Sequence, residues 1–388
     1  MFLQRIHLKQ FRNYTDQVVT FTAPKTILLG ENAQGKSNLL EAVELLATLK
    51  SHRTSRDRDL IQANTKQGHI DARLQRELGA SALKLVLRNG SRRTAAINGE
   101  TMRRQQDFLG TLNAVQFSSL DLDLVRGGPG ERRRWIDTLL IQLEPVYAYI
   151  LQQYNQALKQ RNAFIKQQTA EADPEQPPHL DPAQLALWDA QLATLGTRVI
   201  RRRTRGLERL APIAQKWHAD ISGSTETLQI TYVPNVVAES DAPDQMQQAF
   251  FDKIKTKAVA EFYQRTTLVG PHRDDIEFTI NETPARQYGS QGQQRTLVLA
   301  LKLAELQLIE TVVGEPPLLL LDDVLAELDL NRQNQLLDTI QERFQTLITT
   351  THLGSFDAQW LQSSQVLQVS GGHISTGEKT PAPDAYLF

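Results

Sequence analysis

Residues Gly30-Glu31-Asn32-Ala33-Gln34-Gly35-Lys36-Ser37 match the pattern GxxxxGK[ST], which can cradle a chain of phosphates. Gly30 and Gly35 let the loop curl until backbone N–H groups from Glu31 to Asn38 face an anion. The helix that follows adds the positive end of its dipole. Lys36 can reach the β- and γ-phosphates, and the Ser37 hydroxyl can ligate Mg²⁺. Further along, Leu318-Leu319-Leu320-Leu321-Asp322-Asp323 is an apolar run ending in two carboxylates. At the end of a buried strand, Asp322 would hold Mg²⁺ together with Ser37, and Asp323 could orient an attacking water as general base. Each run alone also fits a plainer reading, a glycine-containing turn or an acidic strand end; together they favour a nucleotide site. The N-K-x-D motif with which a GTPase reads its base is lacking, so ATP is the expected nucleotide.

A third element lies at Ser290-Gln291-Gly292-Gln293-Gln294, which opens a helix running through Leu297, Leu301 and Leu303. It resembles the LSGGQ signature of ABC-type ATPases, where a serine and a glycine at a helix start grip a γ-phosphate. Gly289 stands where the signature has leucine, and Gln291 where it has its first glycine. Ala326-Glu327-Leu328-Asp329 resembles the D-loop of the same enzymes, and Thr349-Thr350-Thr351-His352 follows a predicted strand as their switch region does. The resemblance makes Lys36, Asp322, Asp323 and Ser290 the catalytic candidates, and adds Gln291, Gly292 and Gln293 to the nucleotide-binding ones. Arg12, just after the first strand, is a candidate γ-phosphate contact or an ordinary surface arginine.

These residues need strands and helices to position them. Thr26-Ile27-Leu28-Leu29 is a short apolar run ending at Gly30, as a buried strand should. Ser37 to Lys50 has helical spacing of its apolar residues. Near the N-terminus Phe2, Gln4, Ile6 and Leu8 oppose Leu3, Arg5 and His7 in a loose alternation before the turn Phe11-Arg12-Asn13-Tyr14. Residues 69–98 predict an antiparallel hairpin turning at Asn89-Gly90. Long helices begin near Gly127-Gly128-Pro129-Gly130, and the proline-rich stretch Gln167 to Gln184 predicts a solvated loop. Leu185, Trp188, Leu192, Leu195 and Val199 mark the seam of a packed helix. Strands return at Leu228 to Tyr232 and Ile276 to Ile280, a helix at Thr296 to Ile309, and strands at Leu318 to Leu321 and Phe344 to Ile348. The expected architecture is α/β: an ABC-type ATPase head of mixed sheet with flanking helices and an antiparallel β subdomain. The head spans 1–115 and 263–388, with a helical lobe at 116–262 inserted between them.

Composition narrows the class. Lys and Arg total 43 against 44 Asp and Glu, a net charge of -1, which excludes a globally basic nucleic-acid binder but not a locally basic one. The absence of cysteine removes disulfides, thiol catalysis and Cys-containing metal sites. No leader-like or membrane-spanning apolar stretch is present, so the expected location is the cytoplasm, without a membrane partner. Basic residues nevertheless clump: Arg53, Arg56 and Arg58; Arg92 and Arg93; Arg103 and Arg104; Arg132, Arg133 and Arg134; and Arg201 to Arg203 with Arg205. Arg53, Arg56, Arg92, Arg93, Arg132 and Arg133 are the candidate phosphate-backbone contacts to DNA. The stretch Arg201 to Arg205 reads instead as a solvated helix face balanced by nearby acids.

Over nearly its whole length the chain resembles the RecF family of recombination mediators. The residues that carry the likeness are Phe11-Arg12-Asn13-Tyr14, the loop and helix GENAQGKSNLLEA, Lys50-Ser51-His52-Arg53-Thr54, Gly270-Pro271-His272-Arg273-Asp274-Asp275, SQGQQRTLVLALKLAE and LLLLDDVLAELD. Where that family usually has a proline and an acid after Phe117, this chain has Ser119 and Leu120. The resemblance implies an SMC-like head with a compact lobe in place of a long coil. It implies ATP bridging a head-to-tail homodimer, with Lys36, Ser37 and Asp322 acting in cis and Ser290 and Gly292 in trans. It further implies binding to single-stranded and gapped duplex DNA, partnership with RecR, a role in RecA loading and the SOS response, and weak ATPase activity. Asp323, one methylene shorter than the glutamate common at that place, would make hydrolysis a slow timer. The rival readings are the ATPase subunit of a transporter and a scaffold that binds ATP without turning it over.

Overall fold

The structure, a computed structural model, describes residues 1–171, 180–325, 328–340, 343–354 and 356–376. It divides into two compact units, residues 1–121 with 301–388, and residues 122–300. The second unit reaches further toward the C-terminus than the expected lobe at 116–262. The reason is strand pairing: β9 (Leu228–Val233) hydrogen-bonds in antiparallel register to β10 (Asp275–Ile280), which holds the two segments together.

In the first unit, β1 (Phe2–Phe11) buries Leu3, Ile6, Leu8 and Phe11. A bulge between Leu3 and Arg5 lengthens the first of these spacings, so Leu3 shares a face with Ile6 rather than opposing it as strict alternation predicts. Together with β2 (Tyr14–Thr20), β4 (Gln67–Arg76), β5 (Gly79–Arg88), β6 (Thr94–Ile97) and β7 (Glu100–Thr101) it forms an antiparallel sheet in the order β2-β1-β4-β5-β6-β7. The expected turn at Asn89-Gly90 lies between β5 and β6, with Gly90 at φ 78°.

The apolar runs become the strands β3 (Lys25–Leu29), β12 (Leu318–Asp322) and β13 (Thr346–Thr350), buried along almost their whole length as the middle of a parallel sheet requires. With β8 (Ala114–Ser118) and the more exposed β14 (Ser364–Ser370) and β15 (His373–Thr376) they form a second sheet. Its strands lie in the order β15-β14-β3-β13-β12-β8. All neighbours are parallel except β14 and β15. Strand β13 runs two residues further than the expected Phe344 to Ile348 and ends at Thr350. Helix α1 (Lys36–Thr48) buries Leu39, Leu40, Val43 and Leu46 in one core with Leu28, Leu318, Leu320 and Leu347.

The second unit contains α2 (Asp123–Arg126), α3 (Pro129–Leu143), α4 (Val146–Glu171), α5 (Pro182–Ser222), α6 (Pro243–Gln264), α7 (Ala285–Tyr288) and the start of α8 (Gln291–Val313). Beside them a small sheet has the order β11-β10-β9, with β11 at Thr283–Pro284. Helices take both ends of the expected loop from Gln167 to Gln184, and residues 172–179 within it lie outside the described residues. Helix α4 continues to Glu171, and α5 starts at Pro182, where the Asp181 side chain accepts from Ala183 N at 2.9 Å and proline occupies the first turn. The first unit also contains α9 (Leu330–Ile340) and α10 (Ala358–Gln362). Among the described residues no helix is long and apolar enough to cross a membrane.

Candidate nucleotide-binding site

Strand register decides what meets at the sheet's edge. Asp322 pairs with Thr349 and with Ser118, and Thr350 pairs with Leu29. The carboxyl ends of β3, β13, β12 and β8 therefore lie side by side, the place where open parallel sheets bind ligands. The loop Gly30 to Gly35 leaves β3 there and turns into α1.

Both loop glycines are required by their surroundings. A Cβ on Gly30 would sit 2.2 Å from the Val369 carbonyl oxygen, and Gly35 has φ +120° with Asn13 Nδ2 2.7 Å from where a Cβ would be. The loop is also fastened from outside. Asn13 Nδ2 donates to Gln34 O at 2.8 Å, the buried Tyr14 hydroxyl donates to Gly35 O at 2.9 Å, and Gly371 N donates to Gln34 Oε1 at 2.7 Å. Burial pushes the Tyr14 phenol up, so it stays protonated as a donor. Asn13 and Tyr14 were visible in the sequence only as part of a turn motif. Their support of the loop follows from how the β1–β2 hairpin packs against it, which the local turn pattern does not announce.

Lys36 is buried and its Nζ donates to Gly30 O at 2.7 Å and to Glu31 O at 2.9 Å, so the ammonium lies within the curl of the loop. Glu31, Asn32 and Ala33 are exposed along it. Ser37 Oγ donates to Asp322 Oδ1 at 2.7 Å. The hydroxyl and carboxylate are the hard oxygen donors that Mg²⁺ prefers, and they would hold it beside a nucleotide's phosphates. Thr349 Oγ1 donates to the same carboxylate oxygen at 2.9 Å and accepts from Asp323 N at 2.9 Å. Asp323 is exposed with a left-handed φ of 54°, a backbone that turns its side chain out of the strand's alternation. Asn38 Nδ2 donates to Asn13 Oδ1 at 2.8 Å.

Arg12 is neither a loose surface side chain nor unengaged. Its Nε and Nη2 grip both oxygens of the buried Glu41 on α1 at 2.8 and 2.6 Å, and Nη1 donates to Asp59 O at 2.7 Å. Ser51 Oγ also donates to Glu41, at 2.5 Å, and Arg53 Nη1 donates to Asn38 Oδ1 at 2.7 Å. Nearby, His52 Nδ1 donates to Glu44 Oε2 at 2.7 Å. Burial opposes charge on His52, but the bond and the charge of Glu44 outweigh it and raise the imidazole above its usual range. Burial raises the Glu44 carboxyl as well, against the pull of His52.

The signature segment lies in the second unit. Ser290 Oγ accepts from Gln293 N at 3.2 Å while Gln293 Oε1 accepts from Ser290 N at 2.8 Å, a reciprocal cap on the first turn of α8. Gln291 is exposed and Gly292 half-buried on the same turn. Ala326 and Glu327 of the D-loop-like segment lie outside the described residues.

The candidate DNA contacts divide sharply. Arg56 and Arg92 are exposed, and Arg53 is 40% exposed. Arg93 is instead committed: it pairs with Asp57 and donates to Leu49 O at 2.6 Å. Arg132 is buried, with Nε and Nη2 on Asp275 at 2.7 and 3.0 Å, and Arg133 donates to Asp274 O at 2.5 Å. Arg93 and Arg132 are therefore structural fasteners and not exposed phosphate contacts, because each has a carboxylate that long-range folding brings to it. The reading of Arg201 to Arg205 as a balanced face fits Arg201 and Arg205, which pair with Asp241, and Arg202, which pairs with Glu144. Arg203 departs from it: it is buried between Asp137 and Asp274.

A family model described as RecF/RecN/SMC N terminal domain matches residues 2–374. The DNA replication and repair protein RecF of Nostoc punctiforme is 70% identical over 374 residues, covering 96% of this chain and 99% of that protein. The chain belongs to the RecF family. Its counterpart in Cyanothece sp. is 64% identical over 96% of this chain and 98% of that protein. The family's fold is shared in detail: a solved structure of the recombination mediator protein RecF-ATPrS in the RecFOR pathway superposes with TM-score 0.89 at 30% identity, covering 97% of this chain and 98% of that one. A second, of RecF-ATP, superposes with TM-score 0.88. An Smc head domain from Pyrococcus furiosus, 16% identical with TM-score 0.53, shares the fold. The fold is thus an SMC-like, ABC-type ATPase head of mixed sheets and helices with an inserted helical lobe.

Proposed function

We propose that this protein is an ATP-gated DNA-binding mediator of recombinational repair, in which ATP joins two copies head to tail. The observation that carries the reading is Ser37 Oγ on Asp322 Oδ1 at 2.7 Å, beside the buried Lys36 at the carboxyl edge of the parallel sheet. In this reading the loop Gly30 to Asn38 binds the phosphates and Lys36 neutralises the β- and γ-oxygens. Ser37 and Asp322 would hold Mg²⁺, which when bound screens the phosphate charge. Ser290, with Gln291, Gly292 and Gln293 on its turn, grips the γ-phosphate bound to the partner copy, so that two sites form per dimer. Asp323 orients the attacking water and hydrolysis releases the dimer slowly. The relatives solved with ATP and ATPrS support the nucleotide. Exposed Arg53, Arg56 and Arg92 contact the DNA backbone without reading bases, which suits gapped duplex and single strands. RecR and the RecA-loading step of the SOS response are the partners this reading expects in the RecFOR pathway.

The experiment is sedimentation velocity with ATP, ADP and no nucleotide, with and without gapped duplex. The expected result is a dimer with ATP only, lost in Lys36→Ala and Ser290→Arg, and kept in Asp323→Asn while phosphate release stops. A chain that stays single-copy with ATP at high concentration overturns the reading.

A further inference from the structure

The signature turn has one support that comes from far along the chain. Gln293 Nε2 donates to Glu226 Oε1 at 2.9 Å, while Gln293 Oε1 accepts from Ser290 N at 2.8 Å. We propose that Glu226 is a positioning residue for the signature serine, fixing the Gln293 amide so that the turn presents the Ser290 hydroxyl to a γ-phosphate. The proposal rests on the reading that Ser290 binds that phosphate.

Hydrogen-bond chemistry makes the support specific. An ionised carboxylate only accepts, and the Ser290 N–H only donates. Between them an amide has a single orientation that satisfies both, with NH₂ toward Glu226 and oxygen toward Ser290. Turned over, it would set donor against donor and acceptor against acceptor, and the cap would open. Ser290 Oγ accepts from Gln293 N at 3.2 Å in the closed cap, which leaves the hydroxyl proton to be donated to an anion.

Glu226 is itself held in place. It follows the left-handed cap of α5 at Gly223 and stands 19% exposed. Its neighbour Thr227 is bonded twice to Asn281, with Asn281 N donating to Thr227 O at 2.9 Å and Thr227 N donating to Asn281 Oδ1 at 2.8 Å. Its other carboxylate oxygen lies 3.6 Å from His218 Nε2. Burial lowers the His218 imidazole below its usual range, which favours a neutral ring that does not draw the carboxylate from Gln293.

The test compares Glu226→Ala, Glu226→Gln, Ser290→Arg and Lys36→Ala in the full chain, reading nucleotide affinity of the single copy, ATP-driven self-association and thermal unfolding. A lost charge-assisted bond predicts that Glu226→Ala weakens self-association about tenfold. Nucleotide affinity and unfolding stay at wild-type values. Glu226→Gln, whose amide oxygen can still accept, recovers most of the loss. Mixing Glu226→Ala with Lys36→Ala chains restores more hydrolysis than the two show apart, because the hybrid dimer contains one undamaged site. Unchanged self-association in Glu226→Ala, with Ser290→Arg defective, overturns the proposal alone. So does a loss of stability or of single-copy nucleotide binding that matches the association defect. A harmless Ser290→Arg overturns the reading of the signature itself, and the proposal with it.

Discussion

The Ser37 hydroxyl donates to the Asp322 carboxylate at 2.7 Å although 285 positions separate them in the chain. The Thr349 hydroxyl reaches the same oxygen from the strand between, at 2.9 Å. Three elements thus set one carboxylate, and each should be measurable separately.

Asp322→Asn is expected to remove most metal-assisted hydrolysis. Metal stabilisation of a phosphoryl transition state is worth several kcal/mol, so the rate should fall roughly a thousandfold. Thr349→Val leaves the carboxylate but not its orientation, and should raise the Mg²⁺ needed for half-maximal ATP hydrolysis by roughly tenfold. Metal titrations of steady-state hydrolysis check both; a Thr349→Val curve that overlays wild type would assign the threonine to packing alone.

Arginines drawn from similar basic clumps should behave oppositely. Arg132→Ala strands the Asp275 carboxylate and should cost about 3–5 kcal/mol in urea unfolding. The exposed pair Arg56→Ala with Arg92→Ala should leave unfolding unchanged. In their case the slope of log affinity for DNA against log salt should flatten by about two for each copy in contact with the DNA.

His272 should make stability fall on acidification. The Tyr154 hydroxyl donates to His272 Nδ1 at 2.6 Å, and His272 Nε2 donates to Thr267 O at 3.1 Å, which selects the neutral ring. Burial, with nearby Arg273 adding to it, lowers the imidazole from 6.5 to about 4. Below 6.5 the unfolded chain takes up a proton that the folded chain refuses, so stability drops as pH falls from 6.5 toward 4 and levels off beneath. Between pH 7 and 5 this ring alone should cost about 2 kcal/mol. Denaturant unfolding at both pH values should show a smaller difference in His272→Gln, whose amide can serve both partners.

Much of this protein can be read directly from its residues. The loop Gly30 to Ser37, the run Leu318 to Asp322 and the helix start at Ser290 are local patterns, and a phosphate cradle or a doubly covered strand needs its residue types close together in the chain. The bulge near Leu3 and the helical ends of the 167–184 segment were less legible, because one inserted residue or one cap shifts a boundary without changing composition.

What a charged side chain does was decided only in three dimensions. Arg56 and Arg132 look alike in sequence, yet one is exposed and the other buried against Asp275, 143 positions away. Tyr14 under Gly35, Thr349 on Asp322 and Glu226 on Gln293 are likewise pairings of distant segments. Spacing along a chain specifies which face of an element a residue takes. Which partner then faces it depends on strand order and helix packing, and a buried charge or amide is satisfied only by that partner.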